Sequence, residues 1–311
     1  MSLVGVDLGG TKCLGVAVEG AAVVAEVRVP TPAGSDALVA TLVEVVDALR
    51  ARTGEVEGVG VGVPGLVDRE GVLRFAPNLA LDESLPLRSL LEGRLGVPVV
   101  VENDATSAAW GERELGAAGG LDEVLLVTLG TGIGGGIVSQ GRVHRGAHGY
   151  AGEIGHMVVD PDGPSCPCGR RGCWERYASG SGLARLAREA AHVGALARAV
   201  ELAGGDPDAV RGEHVSQAVA EGDPQAAEVM ARCAWWLALG LANLANIFDP
   251  DAFVVGGGLA GAGDALLTPA RAALGEVLAA AHRREPVAVL PATLGERAGA
   301  TGAALLAAPA R

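Results

Sequence analysis

Lysine is almost absent from this sequence. Lys12 stands alone, every other cationic side chain is arginine, and the formal net charge over 311 residues is −13. So acidic a chain argues against binding a nucleic-acid backbone, which needs a basic face. A small anionic ligand stays admissible, because successive backbone N–H groups can hold phosphate without help from lysine. A membrane-length apolar run is also missing, although 49% of the residues are hydrophobic. The most apolar stretch, Cys233 to Phe248, is interrupted by Asn243 and Asn246, well short of the roughly 20 apolar residues that span a bilayer. No basic segment precedes an apolar one at the start, and Asp7 sits inside the first apolar run. No secretory signal is therefore expected, and a cytoplasmic location is. The five cysteines do not form an even set. In such a chain they point to metal ligation or free thiols rather than a disulfide framework.

What is present reads as mixed α/β. The length suggests two domains. Leu3–Leu8, Cys13–Val18 and Ala22–Val29 read as short strands, with Gly9-Gly10 and Glu19-Gly20 as their turns. Leu38, Leu42, Val45, Val46 and Leu49 recur at helical spacing, and Gly54 ends that helix. Val56–Val63 and Val97–Val101 read as strands, the second followed by Asn103-Asp104 opening a helix. The pattern then restarts: Val124–Leu129 reads as a buried strand, a glycine-rich turn follows, and Ile137-Val138 begins the return strand. This echo of residues 3–18 suggests one supersecondary unit used twice. A loop-rich insert lies between Tyr150 and Tyr177, helices dominate from about Gly182 to Phe248, and Ala252–Val255 is a final strand. A last apolar helix, from about Ala298, is expected to pack back on the body. Trp235 and Trp236 fall in an apolar helix and are expected in the core, and Cys13 and Cys233 are expected to pack inward.

Five motifs carry candidate chemistry. The first is Asp7-Leu8-Gly9-Gly10-Thr11-Lys12. An aspartate at a strand end beside glycines can hold magnesium, and glycines let backbone N–H groups approach phosphate oxygens. A plain hairpin turn is the other reading. The second is Gly130-Thr131-Gly132-Ile133-Gly134-Gly135-Gly136, which has more glycines than a hairpin turn requires. The third is Gly256-Gly257-Gly258 after a buried strand. The fourth joins Glu153-Ile154-Gly155-His156 to Cys166-Pro167-Cys168-Gly169-Arg170-Arg171-Gly172-Cys173-Trp174-Glu175. One histidine and three close cysteines are the donor set of a Cys₃His zinc site, and zinc there would pin a loop with little core of its own. The fifth is Glu102-Asn103-Asp104, a helix cap or a proton acceptor for a reacting hydroxyl.

Together the three glycine motifs resemble those of the actin/hexokinase/Hsp70-like ATPases. The fourth motif matches, at every defining position, the signature of ROK sugar kinases, and the resemblance covers essentially the whole chain. It implies a two-lobed, actin/hexokinase-like (ribonuclease H-like) α/β fold with an active-site cleft and a zinc-bearing loop. The expected division is a small α/β domain over 1–118, with the helix 299–311 packing back on it, and a large domain over 119–298. The resemblance further implies ATP-dependent phosphorylation of glucose to glucose 6-phosphate.

By that resemblance Asp104 is the general base. Asn103, Glu153 and Glu175 bind sugar hydroxyls, and His156 faces the sugar with one ring nitrogen while the other joins Cys166, Cys168 and Cys173 on zinc. Gly65 and Asn78 line the sugar pocket, although a turn glycine and a turn asparagine are equally ordinary. Asp7, Gly9, Gly10, Thr11, Lys12, Thr131, Gly132, Gly256, Gly257 and Gly258 hold ATP, with Asp7 also serving magnesium. One departure is the lack of an aromatic residue from Ala80 to Leu87. Alternatives within the same resemblance are an N-acetylmannosamine, N-acetylglucosamine or fructose kinase, and polyphosphate as donor. A sugar-sensing repressor would carry a DNA-binding segment, for which the start of the phosphate motif at Asp7 leaves no room. The partners implied are sugar and ATP, with a homodimer or homotetramer as the assembly.

Overall fold

The computed structural model describes residues 2–76, 79 and 84–309. In chain order the first elements are β1 (Ser2–Leu8), β2 (Lys12–Glu19), β3 (Ala22–Pro30), α1 (Ser35–Thr53), β4 (Val56–Val63), β5 (Leu66–Val67), β6 (Leu73–Phe75), α2 (Leu87–Leu95), β7 (Val99–Asn103) and α3 (Asp104–Leu115). Then come β8 (Val124–Leu129), β9 (Ile133–Ser139), β10 (Arg142–Val143), α4 (Glu175–Ala178), α5 (Gly180–His192), α6 (Ala197–Leu202), α7 (Gly212–Ala220) and α8 (Pro224–Phe248). The chain finishes with β11 (Ala252–Gly256), α9 (Asp264–Val277), β12 (Ala288–Pro291) and α10 (Ala298–Leu306).

One sheet has the order β3-β2-β1-β4-β7 and the other β10-β9-β8-β11-β12. In the first, β1–β2 and β2–β3 pair antiparallel while β1–β4 and β4–β7 pair parallel. In the second, β9–β10 is antiparallel and β11–β12 parallel. Each order places three consecutive strands beside two that arrive later, which is the internal repeat expected from the sequence. Contacts divide the chain into one compact unit of Met1–Leu126, Gly136–Gly152 and Ala292–Arg311, and another of Val127–Gly135 and Glu153–Pro291. The expected boundary at 118/119 and this division differ over 119–126, 136–152 and 292–298.

The first unit is built on a valine/glycine alternation. In β4, Val59, Val61 and Val63 turn to a core shared with Leu38, Leu42, Val45 and Leu49 of α1. Successive strand residues face opposite sides, so Gly60 falls on the other face. There, a Cβ on Gly60 would lie 1.7 Å from the Ala303 carbonyl, and one on Gly5 of β1 would lie 1.8 Å from that of Ala300. Helix α10 thus lies backbone to backbone on the sheet, as expected for the last helix. α3 approaches it as closely, for a Cβ on Gly302 would meet the Ser107 carbonyl at 1.7 Å. Glu112 of α3, fully buried, accepts N–H bonds from Ala117 at 2.8 Å, Thr293 at 3.0 Å and Leu294 at 2.8 Å. A buried carboxylate without a cation is tolerable only with such donors.

Two expectations need correction. The return strand begins at Ile133 rather than Ile137, so Gly134, Gly135 and Gly136 belong to β9. Gly136 is there for packing, because its Cβ would lie 2.5 Å from the Ala109 side chain of α3. Trp235 is 41% exposed and Trp236 only half-buried rather than core; α8 is apolar around too much of its circumference to bury all of it. The fully buried tryptophan is Trp174, whose indole N–H donates to the Trp236 carbonyl at 2.7 Å. Gly240 makes room for that ring, which a Cβ would meet at 1.9 Å. Cys13 and Cys233 are buried as expected.

Candidate active site

The residues singled out by sequence fall in both units. In the first unit the β1–β2 turn is closed by the Gly9 N–H donating to the Lys12 carbonyl at 2.9 Å. The Thr31 hydroxyl donates to the Gly9 carbonyl at 2.6 Å. Gly10, Thr11 and Lys12 are exposed, so their polar groups are available to a ligand. The Lys12 ammonium is engaged with Glu296 at 2.7 Å, and Arg28 holds the same carboxylate at 3.0 Å. Asp7, in register with Leu14 and Gly62, stands against α10, where a Cβ on Gly299 would lie 2.8 Å from its carboxyl carbon. Burial, and then the nearby charge of Asp104, raise the Asp7 carboxyl to about 7 against the lesser pull of Lys12. Two carboxylates this close, with the nearest ammonium already paired, suit a divalent cation.

Asp104 opens α3, and Asn103 caps it, its Oδ1 accepting the Thr106 N–H at 3.0 Å. The Asn103 amide also donates to the Gly65 carbonyl at 3.2 Å. Gly65 has φ 111°, and a Cβ there would strike the Phe75 carbonyl at 2.0 Å, so only glycine fits. Capping and site-building are therefore the same arrangement: the cap that starts the helix fixes Asp104 at its positive end. Gly65, Asn103 and Asp104 are brought together, whereas Asn78 lies outside the described residues.

In the second unit Thr131 is exposed and Gly132 rests on Glu175, a Cβ on the glycine falling 2.4 Å from Glu175 Oε2. The Gly130 carbonyl accepts the Gly180 N–H at 2.8 Å, fixing this turn to the start of α5. Gly257, at φ 84°, lies on the end of β8, where its Cβ would meet the Leu129 backbone at 2.6 Å. The glycines after β11 are thus brought beside the β8–β9 turn, with Gly256 buried and Gly257 and Gly258 exposed.

The metal ligands expected from the sequence converge. Ligand atoms of His156, Cys166, Cys168 and Cys173 all lie within 4.8 Å of one another. Cys168 and Cys173 sulfurs are 3.6 Å apart, and Cys166 Sγ is 3.8 Å from His156 Nδ1. Tetrahedral zinc with ordinary Zn–S and Zn–N bonds has edges of about 3.5–3.8 Å, so the donor set and spacing fit that metal. A knuckle shapes the cluster: the Cys166 N–H donates to the Arg170 carbonyl at 2.8 Å and the Gly169 N–H to the Cys166 carbonyl at 3.0 Å. Burial and a bond to Glu175 push the Cys166 thiol up. Burial acts the same way on Cys168, but the Arg170 N–H and the two neighbouring thiols outweigh it and hold Cys168 below an ordinary thiol.

With Nδ1 turned to the cysteines, His156 Nε2 lies 3.8 Å from Glu153. Metal ligation at one nitrogen aims the other. Partial burial, and then the Glu175 charge, raise Glu153 against His156. The second unit thus gathers two carboxylates and an oriented imidazole beside a glycine turn, the donors and acceptors a polyhydroxyl ligand needs.

Sequence reasoning missed Arg145, which ion-pairs with buried Glu102 next to Asn103. No local pattern links residues so far apart in the chain.

Over residues 3–310 the sequence matches the profile described as the ROK family. The chain belongs to the ROK family. Its curated ROK relatives include a glucokinase of Streptomyces coelicolor, 44% identical over 98% of this chain and 96% of that one. An N-acetylmannosamine kinase of Escherichia fergusonii is 35% identical over 99% and 98%. A solved ROK family glucokinase from Streptomyces griseus, in complex with glucose and AMPPNP, is 42% identical over 99% of both chains with a TM-score of 0.86. The ROK fold implied by the sequence motifs, actin/hexokinase-like with two sheets, is the fold of this protein. No helix among the described residues is long and apolar enough to cross a membrane.

Proposed function

We propose that this ROK protein transfers the γ-phosphoryl group of MgATP to the 6-hydroxyl of glucose, with Asp104 as general base. The observation that carries this reading is the placement of Asp104 on the first turn of α3, close enough to Asp7 to raise its carboxyl. A base for the acceptor hydroxyl and a carboxylate for the phosphate side then belong to one rigid frame. Full-length kinship to a glucokinase holding glucose and AMPPNP supports the substrates.

Asp104 accepts the hydroxyl proton as the phosphoryl group moves. Asn103, fixed by Gly65 and by its own cap, orients the sugar. Glu153, Glu175 and the Nε2 of His156 read its remaining hydroxyls. Backbone N–H groups of the Gly9–Lys12 and Gly130–Gly132 turns cradle phosphate oxygens, and Gly256, Gly257 and Gly258 receive the nucleoside. Magnesium bound with the nucleotide at Asp7 would neutralise phosphate charge, and zinc at His156, Cys166, Cys168 and Cys173 would fix the histidine ring. A homodimer or homotetramer is the assembly this reading carries.

The test is ADP release with MgATP across glucose, mannose, fructose and the two N-acetylhexosamines, for the wild type and Asp104→Asn. Expected are turnover on glucose with little on the N-acetyl sugars, and a loss in the variant of about 10²–10⁴ in kcat with sugar affinity retained. Turnover on N-acetylmannosamine in place of glucose would replace the substrate, and near-normal turnover of the variant would remove Asp104 from its role.

A further inference from the structure

Beneath the Asn103-Asp104 turn lies a chain of contacts that neither sugar nor nucleotide chemistry accounts for. Glu102 is buried, with 5% of its side chain exposed. Its Oε1 accepts the Asn103 backbone N–H at 3.0 Å, and its Oε2 accepts Nε–H of Arg145. Asn103 in turn holds the Gly65 carbonyl and the Thr106 N–H. The guanidinium at one end is thus linked through a single carboxylate to the backbone of the residue before Asp104.

Arg145 is held by its own loop. The His144 N–H donates to the Ile137 carbonyl at 2.8 Å and the Ala151 N–H to the Arg145 carbonyl at 3.3 Å. The next carbonyl, Gly146, accepts from Arg69. Gly149, at φ 97°, brings the loop against Val67 and Asp68, where a Cβ would lie 2.5 Å from the Val67 carbonyl. A cavity of about 340 Å³ is lined by Glu102 and Arg145, with Asp68, Arg69 and Arg88. Asp68 is paired with Arg74, and Arg88 donates its Nε–H to the Val99 carbonyl. The cavity's charges are largely committed within the protein, and the space leads to the Arg145–Glu102 pair.

We infer that Arg145 is a positioning residue for phosphoryl transfer, acting through Glu102 to hold the Asn103-Asp104 turn in its working geometry. The inference rests on Asp104 as the base. A buried carboxylate that loses its cation is uncompensated. Glu102 must then take up a proton or turn toward water, and either change weakens its hold on the Asn103 N–H. Misplacing a reacting group by about 1 Å is enough to cost on the order of 100-fold in rate.

The cavity supplies the test, because it can admit a small cation in place of a deleted side chain. Arg145→Ala is expected to lose about 10- to 100-fold in kcat, with KM for glucose and for ATP changed by less than about threefold. Arg145→Lys should retain part of the rate. Ethylguanidinium at millimolar concentration should restore at least about tenfold of the Arg145→Ala loss, and nothing in Arg145→Ala/Glu102→Gln, where no carboxylate awaits it.

Hydrogen exchange provides a readout independent of which residue is the base. Amides 103–106 should exchange faster in Arg145→Ala and slow again with ethylguanidinium. An unchanged kcat in Arg145→Ala overturns the proposal. So does a loss of rate and of Tm together that ethylguanidinium does not reverse. If Asp104→Asn remains active while amides 103–106 respond as described, the base assignment fails and the linkage through Glu102 stands.

Discussion

Asp7 is a carboxylate in a place that resists its charge. Half-buried, and facing the charge of Asp104, its carboxyl is pushed up to about 7 from 3.8. A group raised in the folded state binds a proton there that the unfolded chain has already released. The stability from that proton is complete below about pH 4 and is lost as pH rises through about 7. In the absence of nucleotide and divalent cation, the wild type should therefore lose stability between pH 5 and pH 8 relative to Asp7→Asn. Urea denaturation at the two values measures it: the curves approach each other at the lower pH, and the variant is the more stable at the higher. Parallel curves would show that Asp7 is not raised. The same residue scale marks the limit of sequence reading. The Asn103-Asp104 helix start and the convergence of the Cys₃His set were legible because they sit in short motifs. The buried contacts of Glu112, Arg145 and Glu102 were not, because each depends on a partner that only folding brings near, as Glu112 does on Thr293 and Leu294.

At the scale of elements, glycine explains both what was legible and what was misread. Val124–Leu129 could be bounded from sequence because an apolar run ends at Gly130. The start of β9 was misplaced because Gly134 to Gly136 resemble a turn and are instead strand, with Gly136 leaving room for α3. α10 shows the same logic, so Gly302→Ala must push α3 and α10 apart. It should destabilise by about 1–3 kcal/mol or more. Gly261→Ala, with nothing within 4 Å of the added carbon, should be near neutral; equal effects in thermal melts would contradict the close packing. The knuckle around Cys166 gathers its candidate metal ligands within 4.8 Å of one another. Cys168→Ser, or a strong chelator, should release one zinc per chain and make residues 153–177 the first site of proteolysis. Metal analysis and limited digestion report both, and an unchanged digest would make the cluster metal-free or dispensable.

Over the whole molecule, two sheets share one strand order, and the chain carries −13 formal charges. Such a field repels a nucleotide polyanion at long range and leaves a neutral sugar unaffected. Raising ionic strength from about 10 to 150 mM shortens the screening length from about 30 to 8 Å. kcat/KM for ATP should then rise by about twofold or more, while KM for glucose stays constant. A fall in kcat/KM for ATP with salt would mean that a local positive patch outweighs the net charge.

The single lysine gives the charge distribution a practical corollary. Its side chain is 45% exposed and opens β2 directly after the turn that carries the phosphate motif. Apart from the α-amine, any reagent directed at primary amines has one side chain to attack, and it lies where ATP is proposed to bind. Surface immobilisation or dye labelling by amine coupling would tether the protein by its own nucleotide turn, and thiol coupling would reach Cys168 of the Cys₃His cluster, the exposed cysteine, so a tag remote from both is the sounder way to attach it.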